Sequence, residues 1–423
     1  MDSSDPDPDP HFSIYAELLP NLRQLSVAIT LPSPNDATTK VTVTNDAPDG
    51  APPRTALHVS HRGASRAVLI PARVAAPPVM RLPADSPPAT LLQFRLALAA
   101  GGGGGGGVGV GAVVPWEAAD LGEGAAVRCR VCEGVVVPRA RVRAWKDLPS
   151  ENWAEMMEFW HCHKPGHHGH GLDDEVEASK AGDDELASRG YGASSIVTAQ
   201  RGVGLVDLTA ILFAEEDCEA VVYSYTTIEH GAPRRDDLMH TDKAGSPPKG
   251  LHIFCPACHA QLGHYAVRAA AATLFKWAVT VEGCAQEGQA PPTAATCLVA
   301  ALVAGMARTG SSKALVLPMH RRTDMTDSVL LVQMLNGSLS CASSEVADGR
   351  AVPAAKVLYR FVGPKEADAM LESVTAEVQE VHLPAAAVAE LVAGLDRSCG
   401  LLLPASGREF RGARVGLLRR WAG

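Results

Sequence analysis

The chain has 423 residues, enough for two or three domains each with its own core. Lys and Arg total 38 against 47 Asp and Glu, a net charge of −9, and 46% of the residues are hydrophobic. That balance argues against a protein that grips nucleic acid directly, and no window approaches the roughly 18 to 20 uninterrupted apolar residues of a membrane span.

Residues 1–11, beginning MDSSDPDPDP, are acidic and proline-rich and read as a disordered tail. They are the opposite of a secretory or organellar signal, so the expected location is cytoplasm or nucleus, where thiols stay reduced. The ten cysteines are then metal ligands, nucleophiles or buried small residues before they are disulfides. From Phe12 to Leu98 short apolar runs (LSVAITL, KVTVTN, ALHVS, AVLIPARV, LLQFRLAL) alternate with Pro, Gly and Asp, the pattern of strands in a sandwich or barrel. The glycine run near 101–111 is a low-complexity insertion, since no G-K-[ST] follows it to make a phosphate loop. Arg128 to Lys146 carries five Arg and one Lys among apolar residues and reads as a solvated strand face.

Further loops are expected at 164–191 and 230–250, with mainly strands between them. The acidic runs Asp183–Glu185 and Glu215–Asp217 read as solvated. ATLFKWAVTV is another strand candidate. The last third mixes types. Residues 293–308 form an Ala-rich helix, KALVLPM and SVLLVQMLN are strands, and EADAMLESVTAEVQEVHL is a helix followed by a strand. AAAVAELVAGLDRS is a helix with Pro384 near its start, and ARVGLLRRW closes the chain as a strand.

Two C-x-x-C pairs carry the strongest chemical signal: Cys129 with Cys132, and Cys255 with Cys258. A two-residue gap lets one tight turn aim both sulfurs at a single ion, and two such knuckles make a closed, structural Cys₄ zinc site. Gly134 and Gly263 follow the pairs as turn residues. The ion would clip together hairpins separated by residues 133–254, a long loop whose closure chain entropy opposes. The expected fold is mixed β and α+β. A tail (1–11) precedes a zinc-clipped, β-rich domain (12–280) with an inserted helix and insertions near 101–111, 164–191 and 230–250. An α+β C-terminal region (281–423) follows.

The inserted helix is LPSENWAEMMEFWHCHKP, with Ser150 as N-cap and Pro165 ending it. Trp153, Met156, Met157 and Trp160 fall at i, i+3, i+4 and i+7, one continuous stripe. Such a stripe packs a core or meets a partner, because Trp and Met are favoured at both. At its end Cys162 lies between His161 and His163. It is open to four uses: a nucleophile activated by imidazoles, a metal ligand, a thiol donated to a metal held by another protein, or an inert buried thiol.

With the upstream C-x-x-C, LPSENWAEMMEFWHCHKP resembles the HECT-like ubiquitin ligase family, whose members bind a ubiquitin-conjugating enzyme (E2). FCPACHAQLG with LFKWAVTV, LLVQMLNGSLSCASS with AAKVLYRF, and LPASGREFRGARVGLLRRW continue the likeness collinearly from about residue 125 to the end. The resemblance implies an E3 that takes ubiquitin from an E2 to substrates, with E2 and ubiquitin as partners. A thioester cysteine near the C-terminus would be Cys341, in a polar turn, or Cys399, after a helix; Cys162 is the further candidate. The family is also similar to a factor of mRNA 3′-end formation that binds a metallo-β-lactamase-type RNA endonuclease. That likeness implies an adaptor whose Trp153–Trp160 stripe docks on the nuclease while Cys162, beside His163, reaches its metals.

Overall fold

The structure, a computed structural model, describes residues 12–46, 54–75, 79–80, 88–99, 114–148, 198–224, 251–266, 270–284, 290–319, 328–346, 349–373 and 378–422. The tail, the three insertions and the expected helix with Trp153, Met156, Met157, Trp160, Cys162 and His163 lie outside these residues. The described residues are β-rich with three α-helices, and the chain divides into two compact units: Met1–Val113 with Leu298–Ala422, and Val114–Cys297.

The first unit opens with the hairpin β1 (Ser13–Leu19) and β2 (Gln24–Thr30). β3 (Lys40–Asp46), β4 (Arg54–His61) and β5 (Ala64–Ile70) follow as an antiparallel meander. The β4–β5 turn, Arg62–Gly63, has positive φ at both positions, +48° and +85°, the turn whose twist matches its flanking strands. β6 (Val79–Met80) pairs with β3, and β7 (Leu91–Ala97) with β2. Alternation turns Val41, Val43, Leu57 and Val59 inward against Ile14, Ala16, Leu25, Val27 and Ile29. β1 is covered on both faces, because Tyr15 enters a second core with Leu339, Cys341 and Leu402.

The second unit holds β8 (Val127–Cys129), β9 (Val135–Val137), β10 (Ala144–Asp147), β11 (Val203–Val206), β12 (Ala210–Ala214) and β13 (Val222–Ser224). β14 (Leu251–Phe254), β15 (Gln261–Ala266), β16 (Ala271–Phe275) and β17 (Val279–Val281) complete it. Seven strands run in the order β10-β11-β12-β16-β15-β14-β13, and β17-β8-β9 form a small sheet. The expected single strand ATLFKWAVTV is therefore two strands in different sheets. They break at Lys276, whose side chain is buried and whose Nζ donates to the carbonyls of Pro115 (2.6 Å) and Trp116 (3.0 Å). The Glu215–Asp217 run is not wholly solvated either. Asp217 is buried and accepts the Gly202 N–H at 2.6 Å, and Glu215 accepts the Tyr265 hydroxyl at 2.6 Å.

α1 (Ala294–Thr309) crosses residue 298, where the first unit resumes. Then come β18 (Lys313–Pro318), β19 (Val329–Ser343), β20 (Val352–Val362), α2 (Pro364–Glu372), β21 (Val378–Leu383), α3 (Ala385–Leu401), β22 (Glu409–Phe410) and β23 (Ala413–Arg419). The main sheet runs β22-β23-β20-β19-β1-β2-β7, with β18 joined to β19 and to β21. α3 buries Ala387, Leu391, Leu395 and Cys399, a four-residue stripe. It lies so close to β23 that a Cβ on Gly416 would stand 2.7 Å from Leu395 Cδ2.

This connectivity differs from the expected boundary at 280/281. β1 pairs antiparallel with β19, placing Tyr15 opposite Ser343, and the Ile14 N–H donates to Ser344 Oγ at 2.9 Å across 330 residues. Of the strands in 12–98, β1, β2 and β7 thus share one sheet with the C-terminal strands, while β3, β4, β5 and β6 form a separate four-stranded sheet. The segment that carries the four C-x-x-C cysteines is a separate unit, intervening in sequence. A strand's pattern records which face is buried, not which strand satisfies its backbone, so sequence order alone does not reveal the grouping.

Candidate metal centre and the candidate cysteines

The first knuckle is the turn between β8 and β9, and the second is the turn between β14 and β15. They share one hydrogen-bond pattern. Cys129 N–H donates to Gly134 O (2.8 Å) and Glu133 N–H to Cys129 O (2.9 Å). Cys255 N–H donates to Ala260 O (2.9 Å) and His259 N–H to Cys255 O (2.9 Å). The residue after each second cysteine takes the left-handed conformation, Glu133 at φ +58° and His259 at φ +59°. The glycines serve otherwise than expected. Gly134 follows the left-handed residue, and Gly263 lies in β15, where a Cβ would meet Thr273 O at 1.9 Å.

The turns bring the ligand atoms of Cys129, Cys132, Cys255 and Cys258 within 4.8 Å of one another. Across the knuckles, Cys129 Sγ is 3.6 Å from Cys258 Sγ, and Cys132 Sγ is 3.5 Å from Cys255 Sγ. Sulfurs bound at 2.3 Å around a tetrahedral zinc stand about 3.8 Å apart, so the four residues fit that ion. The electrostatics of the thiols differ. Burial opposes the Cys255 thiolate, but the backbone N–H groups of Cys258 and Ala257 and the neighbouring thiols outweigh it, holding the group down to about 7. Burial pushes Cys129 up to about 12 and also raises Cys258. Four thiolates this close repel strongly unless a dication lies among them. Zinc held by these cysteines would have no open position, so it would supply structure and no reaction. It would join the β8–β9 hairpin to the β14–β15 hairpin, members of the two different sheets of this unit.

The Arg128–Lys146 segment is not a uniform solvated face. Arg130 donates to Trp277 O at 3.1 Å and to Pro292 O, Arg139 pairs with Glu282, and Arg141 pairs with Glu219 at 2.5 Å. These contacts tie the first knuckle's flanks to β17 and neighbouring loops.

Cys341 is not in a polar turn. It lies in β19 directly opposite Glu17 of β1 and is buried. Burial, and then the Glu17 carboxylate, push its thiol up to about 11. The SLSCASS run looked like a turn because small polar residues also suit a strand covered on both faces. Around Cys341, Tyr15 donates to Glu17 Oε2 at 3.0 Å, and Lys356 forms an ion pair with the same oxygen. Cys399 lies within α3 and not beyond it. It is buried, and its Sγ is 3.7 Å from Arg408 O. Cys341 and Cys399 are both in the first unit but in different elements, and nothing brings them together as a site.

Sequence reasoning missed Lys276 and the Tyr15–Glu17–Lys356 group. Neither had a local signal: a lysine in a turn and a glutamate in a strand both look solvent-facing until their partners are known.

No helix among the described residues is long and apolar enough to cross a membrane. An uncharacterized protein of Schizosaccharomyces pombe is 43% identical over 54 residues, 12% of this chain and 15% of that protein. An uncharacterized protein of Saccharomyces cerevisiae is 38% identical over 40 residues, 10% of this chain and 12% of that protein. These aligned stretches span well under two thirds of either relative's length. No solved structure matches. The profile of a family described as HECT-like ubiquitin-conjugating enzyme (E2)-binding matches residues 17–415, nearly the whole chain, and includes both knuckles and both C-terminal cysteines. The chain belongs to the HECT-like ubiquitin-conjugating enzyme (E2)-binding family.

Proposed function

We propose that this protein binds a ubiquitin-charged E2 and promotes direct transfer of ubiquitin to a substrate amine, with neither Cys341 nor Cys399 as a thioester acceptor. Family membership supports the E2 partner. The observation that carries the rest is the burial of both cysteines, one opposite a carboxylate and one inside a helix stripe. An acceptor thiol must reach the thioester carbonyl and attack as thiolate. At pH 7 a thiol raised to about 11 is ionised in only roughly one molecule in ten thousand. In direct transfer the substrate amine attacks the E2-bound carbonyl, the E2 cysteine leaves as thiolate, and the protein's part is to hold the two together. The zinc-clipped unit would be the rigid body presenting these surfaces.

The test is discharge of E2-bound, labelled ubiquitin, followed on a non-reducing gel for wild type and for Cys162→Ala, Cys341→Ala and Cys399→Ala. Faster discharge that persists in the Cys341 and Cys399 variants is expected. A reducible ubiquitin adduct lost in either of these two would overturn the reading. Unchanged discharge with folded, zinc-loaded protein would also overturn it, and would favour the adaptor that docks on a metallo-β-lactamase-type endonuclease through Trp153–Cys162.

A further inference from the structure

The first unit contains a cavity of about 530 Å³ at the C-terminal end of α3. Its apolar wall is Leu91, Leu401, Leu403 and Pro404, and Arg397 and Arg408 stand at its edge. The other polar groups lining it are already satisfied. Glu345 is paired with Arg66 at 3.1 Å, and Ser13 Oγ donates to Thr30 Oγ1 at 3.3 Å. Arg408 is held in place: its Nε donates to Leu402 O (2.9 Å) and its Nη2 to Gly400 O (2.7 Å). Two of its five N–H groups are thereby used, and three have no partner among the described residues. Arg397 is exposed and forms no ion pair among the described residues.

The local charge decides what the cavity selects. Two guanidiniums contribute +2, the Glu345–Arg66 pair cancels, and the C-terminal end of α3 contributes roughly −0.5. The edge is therefore net positive beside an apolar floor. The shape of an occupant is set by the neighbouring strand. Leu91 begins β7, which pairs with β2 along its length; at its far end Ala75 N–H donates to Ala97 O at 2.8 Å, and among the described residues its outer edge near Leu91 is unpaired. An edge strand offers backbone groups to an extended chain, and the cavity holds more than one side chain.

We propose that this cavity is the docking site for an acidic, extended peptide segment of a partner protein. Its apolar side chains enter between Leu91, Leu401 and Leu403, and its carboxylates are received by Arg397 and Arg408. This inference stands apart from the E2 reading and holds or fails without it.

The test uses the full-length, zinc-loaded protein and fluorescence anisotropy with a labelled peptide, Asp-Glu-Leu-Leu-Asp-Glu. Two control peptides replace its acids by Lys, or its leucines by Ser. The acidic, leucine-containing probe should bind saturably, and Arg397→Glu should weaken it by roughly tenfold or more while Arg397→Lys retains most of the affinity. High salt should weaken it as well. Ala405→Trp, which fills the cavity from an exposed position, should remove binding with an unchanged melting temperature. No saturable binding, equal binding of the lysine control, or an Arg397→Glu variant within twofold of wild type would overturn the proposal. Self-association abolished by Ala405→Trp in sedimentation would assign the face to a second copy of the chain and overturn it too.

Discussion

Glu133 and His259 occupy the same place in two turns that the sequence sets far apart. Each follows the second cysteine of its pair, each has φ near +58°, and each donates its N–H to the carbonyl of the first cysteine at 2.9 Å. Carrying this shared geometry, the two turns bring the four cysteine sulfurs within 4.8 Å of one another.

One zinc per chain should therefore be found by elemental analysis of purified protein. Cys132→Ser, at the exposed ligand, should lower that stoichiometry and the stability of the second unit together. Chain entropy alone makes closing a loop of this length worth about 4 to 5 kcal/mol, and chelation should remove at least that much. A denaturation midpoint indifferent to chelator would reject the clip.

Lys276 makes a pH-dependent contribution whose sign is fixed. Burial pushes its ammonium down to about 8 from 10.5, against the opposing pull of Cys297, Asp207, Asp147 and Glu117. The folded state therefore disfavours the charged form. That cost is fully present below pH 8 and is relieved as pH rises from 8 toward 10.5, where the unfolded chain still holds the proton. The stability difference between wild type and Lys276→Met should thus grow in wild type's favour by roughly 3 kcal/mol across that window. Urea midpoints of both proteins at pH 7, 8.5 and 10 check this; a flat difference would refute it. Met also leaves the Pro115 and Trp116 carbonyls without their donor, a pH-independent loss of about 1 to 3 kcal/mol each.

Gly263→Ala should be among the most damaging small changes in the second unit. Its Cβ would lie 1.9 Å from Thr273 O and 2.9 Å from Leu274 Cα, backbone atoms of the adjacent strand that cannot swing aside. A loss of about 3 kcal/mol or more, or failure to accumulate as soluble protein, is expected. Gly283→Ala, with no atom within 4 Å of its Cβ but φ at +82°, should cost about 1 kcal/mol. Thermal melts of the two variants separate contact from backbone strain.

Brief alkylation of folded protein with iodoacetamide, followed by peptide mass spectrometry, should spare Cys341 and Cys399. Their burial excludes the reagent, and the thiol of Cys341 stays protonated up to about pH 11. Both should label fully in denaturant. Modification of Cys341 or Cys399 at the rate of an exposed thiol would contradict the burial on which the proposed transfer route rests.

The residues that could be read from the sequence are those whose geometry is local. Two cysteines separated by two residues can share a turn, so Cys129, Cys132, Cys255 and Cys258 could be read from the sequence as one candidate ligand set, and the structure brings their ligand atoms within 4.8 Å of one another. Alternation marked KVTVTN and LLQFRLAL as strands, and AAAVAELVAGLDRS with Pro384 near its start marked α3, because such patterns are properties of a single segment. Only the tertiary structure decided which strands meet. Pairing Glu17 with Cys341 turns an apparent loop thiol into a buried, proton-holding one, and burying Lys276 splits an apolar run into two sheets. Arg397 came to line a cavity with Arg408 and Leu91 only once the fold brought the end of α3 near the start of β7. Backbone hydrogen bonds and burial are indifferent to sequence distance, so their partners are fixed by the whole chain packing at once and cannot be found in any one stretch of it.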